Sequence, residues 1–159
     1  MKQNYYIAYG SNLNVQQMAR RCPTATPVGT GVLEGWRLEF RGSGSGAYLT
    51  IVPFEGGRVP VGIWRISEAD ERALDRYEGC PHFYSKRKIK VQVKAQVEDF
   101  GSHRLRSVSA LVYIMREDAA PGVPDPFYVH VCREGYSDFG FDEAELYAAL
   151  NRAGEEVIE

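Results

Sequence analysis

The 159-residue sequence predicts an α+β domain on a curled, mostly antiparallel sheet or barrel, with a few flanking helices. Three observations carry this reading. A short aromatic segment, Asn4 to Tyr9, runs through Gly10-Ser11-Asn12 straight into a helical pattern. The stretch from Thr26 to Ile66 is rich in β-branched and aromatic residues broken by glycine, as strands and turns require. From Asp125 onward the spacing of apolar residues is mostly helical.

Each element has its own signal. Residues 4–9 end abruptly at Gly10 and read as a buried strand, and Gly10-Ser11-Asn12 supplies a turn in which positive φ is expected at Gly10. A helix over Asn14 to Arg21 follows, with Asn14 as N-cap and Gln17 as its capping-box partner. Val28, Leu33, Trp36, Leu38 and Phe40 belong to strands broken by Gly31 and Gly35. Tyr48 to Val52 and Val59 to Ile66 read as a hairpin around Glu55-Gly56-Gly57, and the Gly42 to Gly46 tract as a mobile loop. Ser67 caps a helix that runs to Glu78, presents Ile66, Ala69, Ala73, Leu74 and Tyr77 on one face, and stops at Gly79 and Pro81. Tyr84 to Val97 and Val108 to Met115 are two more strands. Asp125-Pro126 is an N-cap and N1 pair, although Phe127, Val129 and Val131 also alternate like a strand. Asp142 to Arg152 is a final helix with Leu146, Tyr147 and Leu150 inward.

Composition bounds the function. With 44% hydrophobic and 25% charged residues, residues 1–159 form a single globular domain rather than a disordered chain. Nineteen basic against 21 acidic side chains leave a net charge of −2, so no nucleic-acid partner is indicated. The first dozen residues lack a signal peptide's apolar stretch, and no apolar run is long enough for a membrane helix. Cys22, Cys80 and Cys132 are an odd, scattered set, which reads as reduced thiols in a cytoplasmic protein. Ten tyrosines are a rich supply and point to lined pockets as well as core. Oligomeric state is not legible.

Two features carry chemistry. Backbone N–H groups at a glycine turn entering a helix converge on one point and favour an anion. Tyr9-Gly10-Ser11-Asn12-Leu13 lacks the lysine of a phosphate loop, so a carboxylate is the expected guest, or else the segment is a plain turn. Glu78 ends its helix where a cation would suit the dipole better. That placement tends to raise its pKa and suits a proton shuttle, although helix-end glutamates are commonly just solvated. The sequence also offers a Cys80–His82 nucleophile, a zinc site from Cys80, His82, His130 and Cys132, and a Glu71–Glu78 carboxylate pair. His103 reads as an inert loop residue, and Trp36 and Trp64 as core.

Tyr9-Gly10-Ser11-Asn12-Leu13 resembles the Y-G-S-N-L signature of the γ-glutamylcyclotransferase-like (AIG2-like) family. The similarity continues through Leu49-Thr50-Ile51-Val52-Pro53 and Val61-Gly62-Ile63-Trp64 to Leu74-Asp75-Arg76-Tyr77-Glu78-Gly79, which looks like the segment ending in the family's catalytic glutamate. Tyr84 and, after Asp125-Pro126, Tyr128 also match, so the resemblance spans about Asn4 to Gly135. It implies the γ-glutamylcyclotransferase-like fold and cyclising cleavage of a γ-glutamyl amide. The substrate's α-amine attacks its own γ-carbonyl, releasing 5-oxoproline and an amine or amino acid. Glu78 is then the general base and acid, and residues 10–13 hold the α-carboxylate or oxyanion. Tyr84 and Tyr128 position the arm, Tyr9 belongs with residues 10–13 to the carboxylate cradle, and no metal or other cofactor is needed. The alternative is a non-catalytic module on the same fold that binds a small carboxylate ligand.

Overall fold

Five strands close into a barrel in the order β1-β3-β2-β4-β5. The structure is a computed structural model that describes residues 3–42, 46–95 and 105–158. The strands are β1 (Gln3–Ala8), β2 (Thr26–Arg41), β3 (Tyr48–Ser67), β4 (Tyr84–Ala95) and β5 (Leu105–Met115). The helices are α1 (Val15–Arg21), α2 (Glu68–Glu78), α3 (Pro126–Phe139) and α4 (Ala144–Ile158), with a single 3-10 turn at Ser11–Leu13. All pairings are antiparallel except the closing one, where β1 runs parallel to β5 through Tyr5↔Ala110 and Tyr6↔Leu111. The curled, mostly antiparallel barrel expected from the sequence is therefore the fold.

The expected hairpin inside β3 is not formed. Both halves of β3 pair with the same partner, Trp36↔Pro53 on one side and Glu34↔Arg58 on the other. Residues 54–57 loop out between them opposite Gly35, which takes φ +84. A Gly-Gly pair signals a chain reversal locally, but whether it makes a hairpin or a bulge depends on the strand beside it. Gly31 does not break β2 either. A Cβ there would lie 2.7 Å from the Gln92 carbonyl oxygen, so glycine lets β2 approach β4. Within the Gly42 to Gly46 loop, residues 43–45 lie outside the described residues, as do the strand end at 96–97 and His103.

Helix boundaries follow their capping chemistry. The Asn14 side chain accepts from the Gln17 N–H at 3.1 Å, but Gln17 does not reciprocate as a capping box; its side chain takes Arg21. Ser67 and Asp70 do form a reciprocal box at the start of α2, and Gly79 closes that helix at φ +63. Asp125 caps α3, so the 126–139 segment is helix rather than strand. Two predicted inward faces turn differently. Ala69 is exposed and Tyr77 is 46% exposed, while Asp70 takes the inner position beside Leu74. Tyr147 is exposed and lies under Arg133, leaving Leu146, Ala149 and Ala153 to face inward.

The barrel interior and the helix-facing side of β3 share one core. Leu38, Phe40, Leu49, Ile51, Val61 and Ile63 are almost fully buried. On the other side of β3, Gly62 and Trp64 lie under Phe139 of α3. Contact with the 3-10 turn is equally close. A Cβ at Gly135 would lie 2.6 Å from the Asn14 backbone nitrogen and 2.7 Å from Leu13. The turn after β1 is thus clamped from outside by α3.

Candidate active site

One end of the barrel, at the carboxyl ends of β1 and β5, opens into a cavity of about 410 Å³. Tyr6 and Tyr9 come from β1 and its exit, Tyr48 and Leu49 from the start of β3, and Tyr77 and Glu78 from the end of α2. Phe83 precedes β4, Tyr84 opens it, Tyr113 is near the end of β5, and Tyr128 lies in the first turn of α3. Seven of the ten tyrosines line this one space, which is where the aromatic excess goes.

Glu78 is half-buried in the cavity wall. Burial strips water from its carboxylate and pushes its pKa from the ordinary 4.5 up to about 7, against the opposing pull of the Arg21 guanidinium. Its Oε1 accepts from the Asn12 side-chain amide at 3.3 Å. Glu71 and Glu78 do not pair: Glu71 is held by Lys86 at 2.6 Å and by Asn4 at 2.8 Å. Asp75 also takes Lys86, and accepts from the Tyr113 hydroxyl at 2.6 Å.

The turn after β1 places Gly10, Ser11 and Asn12 on the cavity, but not Leu13. Leu13 is fully buried, and its N–H closes the 3-10 turn on the Gly10 carbonyl at 3.0 Å. Any anion cradle here therefore rests on the N–H groups of Ser11 and Asn12, which donate to nothing among the described residues. Gly10 has φ −134, so the expected positive φ is absent. Glycine is suited there by crowding instead, because a Cβ would sit 3.3 Å from Leu49 and 3.4 Å from the Tyr128 hydroxyl.

The predicted tyrosines all reach the cavity, with their hydroxyls occupied. Tyr84 donates to the Leu49 carbonyl at 2.8 Å, and Tyr128 accepts from the Leu49 N–H at 3.1 Å. Tyr9 donates to the Tyr113 carbonyl at 2.6 Å. Burial holds all three phenols neutral, well above their usual range. Tyr84 and Tyr128 thereby tie the β3 entry to β4 and α3, Tyr9 ties the β1 exit to β5, and all three line the cavity.

The competing groupings do not assemble. His82 is exposed, and burial raises the Cys80 thiol's pKa, with Asp75 adding to the shift. His130 lies on the exposed face of α3 beside Glu134, whereas Cys132 is buried in the core. Among the described residues no group of three or more His, Cys, Asp or Glu is placed to hold a metal ion. No described helix is long and apolar enough to cross a membrane.

Sequence reasoning missed Arg21, Tyr77 and Trp64 as parts of this region. Arg21 stacks on the Tyr77 ring at 3.4 Å, and Trp64 Nε1 donates to the Asn12 carbonyl at 3.0 Å. Only the adjacency of Tyr77 to Glu78 could have signalled one of them.

Comparison with known proteins places the chain. A family model for gamma-glutamyl cyclotransferase, AIG2-like, matches residues 6–130. A solved structure named gamma-glutamyl cyclotransferase superposes with a TM-score of 0.74 at 23% identity, covering 97% of this chain and 86% of that one. An uncharacterized protein from Homo sapiens, loc79017, gives 0.74 at 23% identity over 98% of this chain and 86% of its own. YkqA from Bacillus subtilis gives 0.75 at 20% identity, over 95% of this chain and 55% of its own. At these identities the structural likeness shows a shared fold. No curated protein sequence matches the chain.

Proposed function

The chain belongs to the gamma-glutamyl cyclotransferase, AIG2-like family, and on that premise we propose that it cleaves a γ-glutamyl amide by cyclisation. Glu78 acts as general base and then general acid. The carboxylate takes a proton from the substrate's α-ammonium. The freed amine attacks the γ-carbonyl carbon and closes a five-membered ring. As the tetrahedral intermediate collapses, the original C–N bond breaks, Glu78 returns its proton to the leaving nitrogen, and the second proton of the ring nitrogen passes to the departing amine, which leaves as an ammonium. The products are 5-oxoproline and an amine or amino acid, with no water consumed.

The observation that carries this reading is the Glu78 carboxyl in an aromatic cavity, with its pKa near 7. A proton shuttle works best when its pKa lies near the working pH, and is typically worth about 10²–10⁴ in rate. The nucleophile is part of the substrate, so the protein's remaining task is to fold the arm into a reactive conformation. Holding the reacting groups together in this way lowers a barrier by up to roughly 7–11 kcal/mol. The Ser11 and Asn12 N–H groups suit the α-carboxylate or the developing oxyanion. The rings of Tyr9, Tyr84 and Tyr128 suit the aliphatic part of the glutamyl arm.

Incubation of the purified chain with γ-glutamyl dipeptides and γ-glutamyl amines tests the proposal. Release of 5-oxoproline in equal amount with the free amine is expected. A panel that binds, by calorimetry, and yields no 5-oxoproline would overturn it in favour of a binding module.

A further inference from the structure

Arg21 takes no part in that chemistry, yet it is built tightly into the wall of the site. It ends α1, and its guanidinium lies over the Tyr77 ring at 3.4 Å. One of its nitrogens donates to Gln17 Oε1 at 3.0 Å, and the other to Asn12 Oδ1. Asn12 is itself buried and pinned through its carbonyl by Trp64. A guanidinium has only donors, so the oxygen of the Asn12 amide must face it. The amide nitrogen is then turned the other way, where it donates to Tyr6 Oη at 2.8 Å and to Glu78 Oε1 at 3.3 Å. A hydroxyl such as that of Tyr6 accepts either end of an amide, so Arg21 is the partner that discriminates. With the amide reversed, its oxygen would oppose the Glu78 carboxylate.

We propose that Arg21 is a positioning residue, which fixes the Asn12 amide and through it holds the Glu78 carboxylate toward the cavity. The inference rests on the proton-shuttle reading of Glu78. The titratable groups sharing the cavity with Glu78 from β1, β4, β5 and α3 are Tyr6, Tyr9, Tyr84, Tyr113 and Tyr128, all phenols kept neutral by burial, and just past the helix end the Cys80 thiol is pushed up by burial and by Asp75. On its own helix Tyr77 and Arg76 are exposed. Arg21 is the cation whose field favours ionised Glu78.

Steady-state 5-oxoproline release by Glu78→Gln, Arg21→Met and Arg21→Lys, read across pH, tests this. Arg21→Met should lower kcat at least about tenfold with KM within about twofold, as misplacement of a reacting group does. It should also move the acid limb of kcat/KM to higher pH, because the cation is gone. Arg21→Lys should restore the limb, since the charge returns, but only part of kcat. An ammonium cannot stack on Tyr77 and bond Asn12 and Gln17 at once. An unmoved limb in Arg21→Met, whether kcat is kept or falls together with the melting temperature, overturns the proposal. Should Arg21→Met fail to fold, Arg21→Lys decides: reduced kcat on an unmoved limb supports it, and wild-type kcat overturns it. Full activity in Glu78→Gln overturns the shuttle itself, whereas inactive Glu78→Gln beside unaffected Arg21 variants overturns only the positioning role.

Discussion

Replacing Glu78 by Gln should strengthen the fold while sharply lowering turnover, and the gain in stability should depend on pH. Burial carries the carboxyl from an ordinary 4.5 in the unfolded chain to about 7 in the folded one. Below about pH 4.5 both states hold the proton, and the substitution is near neutral. As pH rises from there toward 7, the unfolded chain ionises while the folded one keeps its proton, so the wild-type protein loses stability. Above about pH 7 the loss is complete. At ~1.4 kcal/mol per pH unit the ceiling is ~3 kcal/mol. Glu78 is only half-buried and Gln still desolvates an amide, so ~1–2 kcal/mol is the expected net gain near pH 8. Release from the helix C-terminus adds a few tenths of a kcal/mol. Urea denaturation of both proteins near pH 4 and pH 8 reads this difference. At the higher pH kcat should fall by at least about 10²-fold, and wild-type kcat/KM should rise through an apparent pKa of about 7. A Glu78→Gln protein with wild-type turnover, or with the same stability difference at both pH values, would falsify the reasoning.

Other expected outcomes follow from the same geometry. Tyr84→Phe and Tyr128→Phe each remove a hydroxyl from the Leu49 backbone, so each should destabilise by about 0.5–1.5 kcal/mol and raise KM up to roughly tenfold as β3 loosens. Unchanged melting and kinetics in both would reduce the tyrosines to ring packing. Esterifying or amidating the α-carboxyl of a substrate should sharply weaken productive binding at Ser11 and Asn12; equal kcat/KM for blocked and free compounds would remove that role. Gly135→Ala should cost about 1–3 kcal/mol, because its methyl meets rigid backbone at Asn14 and Leu13. A melting temperature equal to wild type would show that the contact is looser than described.

What the sequence disclosed was local. Ser67, Asp70 and Gly79 announce α2 through capping, and Glu78 stands out because it ends that helix with the wrong charge for the dipole. Asn14 and Asp125 mark their helices in the same way. Missed features depend on partners distant in the chain. Gly56-Gly57 promises a reversal, and only pairing with β2 makes it a looped-out bulge. Gly10 looks like a positive-φ glycine until Leu49 and the Tyr128 hydroxyl supply a crowding reason. Leu13 belongs to the signature pentapeptide, yet it is core. Arg21 reads as an ordinary basic residue at a helix end, because nothing in its neighbourhood foretells Tyr77 lying 3.4 Å away.

The parallel seam between β1 and β5 bears on how the protein is made. The strand at the start of the chain finds its closing partner only after nearly all the others exist, and the bond from Tyr9 to Tyr113 spans 104 residues. At about 5–20 residues per second of synthesis, β1 waits roughly 5–20 s for β5 to leave the ribosome. During that interval β1 can pair with β3 on one side only, and its other edge, carrying Tyr5 and Tyr6, stays open to foreign strands. The cavity inherits this schedule. Glu78 is present early, but Tyr113 and Tyr128 complete its surroundings last, so the half-buried carboxyl acquires its raised proton affinity only when the barrel shuts. Long-range closure of this kind also makes for slow folding, with a nascent chain that benefits from being shielded until β5 arrives.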